Sequence, residues 1–246
     1  MEGRKQAEVD YPEKLDEDGR RWLETKPFLR EPDSVARHLL DTSAVVSLLG
    51  LRPGMRLCHL GCGTGWLTLF AARCGVEAEG YDISPGMVAV AQAKAAAEHL
   101  DVDFEVGDME ELDLGRRFDA CLVYEALHHS HHPGRVLETA HRALKPGGYL
   151  LLVEPNWAHR YFGREATRRF GTTENGYSTF TLKRLARSAG FEDVRRFHSN
   201  RRILFSGRPL LYGNRPLEVA QHLVEPLVYR AFAPFWAQIW IRARAR

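Results

Sequence analysis

Apolar and polar positions switch between two periods along this chain, and the switches mark its elements. After a charged opening, Val35, Leu39, Leu40, Val45, Val46, Leu48 and Leu49 recur at helical spacing, with Asp33 or Ser34 as the capping residue. Pro53-Gly54 turns the chain into residues 55–60, a short buried strand. Residues 66–74 read as a helix and 77–81 as a second strand. Ser84 as N-cap and Pro85 in the first turn open an alanine-rich helix over 87–98. Residues 102–106 make a third strand, 118–124 a fourth, 134–144 a helix stopped by Lys145-Pro146-Gly147-Gly148, and 149–153 a fifth strand. A helix at 182–189 and strands at 191–197 and 202–205 follow. Beyond residue 209, the stripe Leu223, Leu227, Phe232, Phe235, Trp236, Ile239 and Trp240 predicts appended helices to the end of the chain.

Strands alternating with helices over short connections predict an α/β fold, a doubly wound, mostly parallel sheet of seven strands. A chain of 246 residues, 44% of them hydrophobic, can bury a core without disulfides or structural metal. No apolar run approaches the roughly 18 residues that cross a bilayer. The polar start, Met1-Glu2-Gly3-Arg4-Lys5, lacks the apolar stretch of a secretory signal, so a cytoplasmic location is expected. Cys58, Cys62, Cys74 and Cys121 form no C-x-x-C pair and are expected to be reduced, buried thiols. Net charge is +2, yet residues 160–246 carry 17 Lys/Arg against six Asp/Glu. That asymmetry suits a phosphorylated substrate, a nucleic acid or a membrane surface, and equally a solvated Arg-rich face.

In an open parallel sheet, ligands bind beyond the carboxyl ends of the strands where strand order reverses. Here the first strand runs straight into Gly61-Cys62-Gly63-Thr64-Gly65, and glycines let backbone approach a ligand closely. Asp82, ending the second strand, is placed to accept hydrogen bonds from both hydroxyls of a ribose. A nucleoside-type cofactor follows. The dinucleotide fingerprint G-x-G-x-x-G/A needs a third small residue where this chain has Trp66, and a pyrophosphate fits poorly beneath it.

Five ordered motifs carry a family resemblance: residues 57–65 around the glycine loop, Gly80-Tyr-Asp-Ile-Ser84, Val106-Gly-Asp-Met-Glu110, residues 118–129, and residues 144–155. Together they resemble the small-molecule branch of the class I S-adenosylmethionine-dependent methyltransferases, over about residues 50–200. The resemblance implies a Rossmann-like methyltransferase fold and S-adenosylmethionine as cofactor. It places Gly61, Gly63 and Gly65, with Cys62 and Thr64 between them, under the methionine and ribose portions. It implies Asp82 on the ribose, Ile83 against the adenine, Asp108 and Met109 on the adenine edge, and Tyr124 beside the methionine. The family's usual acid two residues before the first glycine is His59 here, which can accept a hydrogen bond but brings no negative charge. The implied organisation is an N-terminal helical lid (1–50), the cofactor-binding domain (51–206), and a basic, aromatic helical extension (207–246).

Methyl transfer from a sulfonium is an in-line displacement, so the protein chiefly aligns the partners and excludes water. A hydroxyl acceptor also needs its proton removed, and histidine titrates in the right range. His128 and His129, with Glu125 behind them, are the candidates after the fourth strand. The cluster His128, His129, His131, His132 is not expected to hold a metal, because neighbouring residues seldom converge on one ion. Tyr11, Trp22, Lys26, Phe28, residues 157–162, Tyr177 and the C-terminal helices are expected to wall the substrate. Arg164, Arg168 and Arg169 could grip a phosphate or carboxylate, and the run from Phe232 to Trp240 with Arg242, Arg244 and Arg246 suits a helix on anionic lipid or a dimer contact. The expected reaction is methylation, at oxygen, of a small-molecule, sugar-linked or lipid-linked acceptor. An RNA methyltransferase, with no recognisable RNA-binding module, and a non-catalytic scaffold are the alternatives.

Overall fold

The computed structural model describes residues 2–27, 32–197 and 238–246. Seven strands form one sheet: β1 (Arg56–Leu60), β2 (Glu77–Asp82), β3 (Asp103–Val106), β4 (Phe118–Tyr124), β5 (Leu144–Glu154), β6 (Glu192–Phe197) and β7 (Ile239–Arg244). Their order is β3-β2-β1-β4-β5-β7-β6. Pairing is parallel from β3 through β5, and only β7 runs antiparallel, between β5 and β6.

The centre of the sheet is buried on both faces, as continuous apolar strands require. Along β4, Ala120, Leu122 and Tyr124 pack on one side with Val45 and Leu49 of α3 (Pro32–Leu49) and Leu67 of α4 (Trp66–Arg73). Cys121 and Val123 pack on the other with Val136, Leu137 and Ala140 of α6 (Pro133–Ala143) and Leu182 of α9 (Thr179–Ser188). The period of two in the strand thus serves two helical layers. A third cluster joins Val88, Ala91 and Ala95 of α5 (Pro85–Ala97) to Phe104.

Helices α1 (Glu2–Val9) and α2 (Glu17–Thr25), with a 3-10 turn at Tyr11–Lys14, are tied to the carboxyl end of the sheet. Ser84 Oγ donates to the Val9 carbonyl at 2.9 Å, and Lys94 Nζ to the Leu23 carbonyl at 3.1 Å. Ser84 does stand at the N-cap of α5, but its hydroxyl serves this bridge instead of capping the helix. Helix α3 begins at Pro32, ahead of the expected caps Asp33 and Ser34. Two short helices, α7 (His159–Phe162) and α8 (Arg164–Phe170), follow β5.

The last element corrects the expectation of C-terminal helices. Residues 239–244 are a strand inserted between β5 and β6, with Val153 opposite Trp240. Trp240 is fully buried against Tyr124, and the Arg242 guanidinium lies over Tyr149 and Phe197. These residues are therefore unavailable to an interfacial helix. The expected strand at 202–205 and the stripe from Leu223 to Trp236 lie outside the described residues. Cys58, Cys62 and Cys121 are buried free thiols, whereas Cys74, at the end of α4, is exposed. Among the described residues, no helix is long and apolar enough to cross a membrane.

Candidate functional site

Strand β1 lies between β2 and β4, and the chain turns back across the sheet between those neighbours. A cavity of about 630 Å³ opens there, at the carboxyl ends of the strands. Its floor is the loop between β1 and α4. Gly61 has φ +69°, and a Cβ there would meet that of Ala126 at 2.4 Å. Gly65 has φ +75°, and a Cβ would strike Phe104 at 2.6 Å. Both positions demand glycine for conformation and for space.

Asp82 holds this loop in shape. Its Oδ2 accepts from the Gly63 N–H at 2.8 Å, and its Oδ1 from the Ser84 N–H at 3.0 Å. Burial raises its carboxyl above the ordinary range, opposed by those two N–H groups. The next strand ends on a second carboxylate. Asp108 Oδ1 accepts from the Glu110 N–H at 2.9 Å, and Lys5 Nζ of α1 reaches Oδ2 at 2.5 Å. Ile83, Met109, Cys62 and Thr64 also line the cavity.

The other end of the cavity is aromatic. Trp66 stands edge-on to His38 at 5.0 Å and to Tyr124 at 5.8 Å. The Tyr124 hydroxyl donates to Asp41 of α3 at 2.5 Å. His59 pairs its Nδ1 with Thr68 Oγ1 at 2.9 Å, leaving a buried Nε2 with no hydrogen-bond partner. Burial, aided by the Lys26 charge, drives its pKa down to about 3, so the ring is neutral. The Lys26 ammonium lies over both Trp22 and Trp66.

After β4 the backbone kinks at Glu125 (φ +49°) into a 3-10 turn at Leu127–His129. One buried carboxylate holds this turn. Glu154, at the end of β5, accepts the N–H groups of Ala126, Leu127 and His128 at 3.1, 2.8 and 3.2 Å. It also pairs with His128 Nδ1 at 2.8 Å. Burial pushes the Glu154 carboxyl up, while burial together with the His129 charge pushes His128 well below its ordinary value. His129 behaves oppositely. Burial opposes its charge, but the Glu8 contact and the carboxylates of Glu174 and Glu154 raise it to about 9. His128 Nε2 faces Glu174 Oε2 at 3.9 Å, and His129 Nδ1 faces Glu174 Oε1 at the same distance. Glu174 is itself held by His159 Nε2 at 2.7 Å.

Of the residues expected from the resemblance to hold the cofactor, all but Gly65 line this cavity, as do His128, His129 and Glu125. Glu125 Oε1, however, accepts from Gln238 Nε2. Of the expected substrate walls, Tyr11, Trp22, Lys26 and His159 line the cavity, and Phe28 lies outside the described residues. Tyr177 is a correction: it is buried, and its hydroxyl donates to the Leu127 carbonyl at 3.2 Å, bracing the histidine turn. Trp157 and Tyr161 stack edge-on in solvent instead of walling the cavity. The three arginines do not converge either. Arg164 lies over Tyr161, Arg168 faces Glu165, and Arg169 faces Asp16. Sequence reasoning missed Glu8, Asp41, Glu154 and Glu174.

Residues 58–152 match the family model of the methyltransferase domain. The chain is 38% identical over 109 residues to a ubiquinone biosynthesis O-methyltransferase of Azorhizobium caulinodans, covering 43% of each chain. It is 37% identical over 121 residues to a tRNA (adenine(58)-N(1))-methyltransferase of Thermus thermophilus, covering 47% of this chain and 46% of that one. It therefore spans less than half the length of either relative. Among solved structures, the [4+2]-cyclase SpnF superposes with TM-score 0.62 and 23% identity over 93% of this chain and 95% of that one, a likeness of fold.

Proposed function

We infer that this chain, a class I S-adenosylmethionine-dependent methyltransferase by its residues 58–152, moves the cofactor's methyl group to an oxygen of a small molecule. The observation that carries this reading is the pairing of two strand-end carboxylates with one cavity. Both Asp82 and Asp108 line the cavity at the sheet's switch point, where Asp82 would accept from the ribose hydroxyls and Asp108 from the adenine amino group. The methionine end would then lie toward Trp66, Tyr124 and His59. The methyl group would point at the turn that Glu154 holds.

The chain's own residues then act in three ways. The glycine loop and Asp82 fix the cofactor's sugar, and a well-oriented reactant pair removes much of the entropic barrier. Helices α1 and α2 roof the cavity through Lys5, Glu8, Tyr11 and Trp22 and exclude water. His128, His129 and Glu174 face the acceptor and manage the proton of its hydroxyl. The electron pair of that oxygen forms the new bond to carbon, and the pair of the broken carbon–sulfur bond stays on sulfur.

A cavity of about 630 Å³ beneath α1 and α2 favours a small acceptor over a polynucleotide. The test is transfer of label from S-adenosylmethionine to hydroxylated small molecules, aromatic and aliphatic, alongside RNA. Label on a small hydroxyl compound is expected, with His128→Ala lowering turnover by roughly 10²–10⁴-fold. Label on RNA alone would overturn the acceptor class.

A further inference from the structure

We propose that His128, His129 and Glu174 bind a divalent transition-metal cation of the zinc class, whose open coordination position receives the acceptor's hydroxyl. One donor atom from each of the three lies within 4.8 Å of the other two. His128 Nε2 lies 3.9 Å from Glu174 Oε2 and His129 Nδ1 lies 3.9 Å from Oε1, both too long for hydrogen bonds. These two gaps are close to the separation of about 3.4 Å between two donors on one tetrahedral ion with bonds near 2.1 Å. His129 Nδ1 meets the Thr173 carbonyl at 2.9 Å, a contact and a proton that the ion would displace. Two imidazoles with one carboxylate suit zinc or a neighbouring transition metal, whereas magnesium and calcium want oxygen donors throughout.

The surroundings are those of a ligand set held in advance. A metal-binding histidine gives its other ring N–H to a carboxylate, which fixes the ring and turns the remaining lone pair outward. Glu154 meets His128 Nδ1 in that way, and three backbone N–H groups anchor the carboxylate itself. Glu174 is oriented in turn by His159 Nε2 at 2.7 Å and Thr172 Oγ1 at 3.1 Å. Glu8 brings a further carboxylate within 3.4 Å of His129 Nδ1, adding to the negative potential that favours a cation. His131 and His132 lie outside this group of three, and their backbone N–H groups donate to Glu110. The ion would draw Glu174, from the loop after α8, into a cluster that the histidine run alone could not complete.

The ion's chemical role rests on the methyl-transfer reading; its binding does not. Held at the open position, the acceptor's hydroxyl gives up its proton to water at neutral pH, as oxygen donors on zinc do. The freed oxygen pair then attacks the methyl carbon while the carbon–sulfur pair returns to sulfur, leaving a neutral thioether.

The test uses the full chain stripped with a chelator and titrated with Co²⁺, followed by visible ligand-field absorption. Saturation at one equivalent, reversed by Zn²⁺, is expected, with affinity at least tenfold weaker in Glu174→Gln and in His128→Gln. Glu154→Gln keeps all three ligands and should weaken cobalt by roughly 10–100-fold. Circular dichroism of each variant separates loss of ligand from loss of fold. No stoichiometric cobalt binding by the wild-type chain, or equal affinity in Glu174→Gln, overturns the site. Calorimetry of S-adenosylmethionine on the metal-free chain tests the other reading separately. Cofactor uptake with methyl transfer undiminished by chelator overturns the ion's role and leaves methyl transfer standing. Cobalt binding without cofactor uptake leaves the metal site standing and overturns the methyl-transfer reading, and with it the ion's role.

Discussion

At the residue scale, the chain departs at His59 from the pattern of the family it resembles, and the departure has a measurable consequence. The folded chain holds this imidazole neutral down to about pH 3, while the unfolded chain protonates it near 6.5. The folded pKa is depressed, so the contribution of this group is intact above about 6.5 and lost as pH falls toward 3. The loss is up to about 1.4 kcal/mol per pH unit. Chemical denaturation of His59→Gln should therefore show a shallower fall in stability between pH 6 and pH 4 than the wild-type chain; parallel curves would contradict the burial account. Residue-scale legibility was uneven. Gly61, Asp82 and Asp108 stand at strand ends within ordered motifs, so the sequence exposed them. Glu154 was also within reach, since it ends the strand beside β4. Glu8 and Glu174 carry no such mark, because only the folded chain brings α1 and the loop after α8 over the histidines.

At the scale of elements, the parallel core was readable because its strands are short apolar runs punctuated by glycine, proline and capping residues. Strand β4 occupies the expected residues without change. The antiparallel β7 was misread, since an aromatic stripe of helical spacing runs into it. Its own signal was present: from Ile241 to Arg246 apolar and charged residues alternate strictly, the mark of a strand. If Trp240 fills the sheet core as described, Trp240→Ala should cost about 3–5 kcal/mol in urea unfolding. Trp157→Ala, at a 41% exposed site, should stay within about 0.5 kcal/mol. Equal, small losses would return residue 240 to the surface.

At the scale of the molecule, helix α1 helps to line the cavity and Gln238, just before β7, braces Glu125 on its wall. Helix α1 supplies Lys5 to Asp108 and Glu8 to the histidine cluster. Lys5 occupies the Asp108 carboxylate, which the proposed reading gives to the adenine amino group, so on that reading the cofactor displaces it. Lys5→Met should tighten S-adenosylmethionine binding a few-fold in equilibrium dialysis, whereas weaker binding would make Lys5 a support for the ligand. The charge asymmetry of the sequence acquires a bland reading where it can be followed. Arg168, Arg169, Arg195 and Arg246 each face a carboxylate on the outer surface.

The account as a whole stands on the cavity at the switch point taking an adenosyl sulfonium through its carboxylates. Calorimetric titration of the chain with S-adenosylmethionine, beside Asp82→Asn, tests this most directly. One cofactor per chain is predicted, with affinity weakened by roughly 10–100-fold when the Asp82 charge is removed. Absence of heat at millimolar cofactor, or an Asp82→Asn titration that overlays the wild-type one, would contradict it.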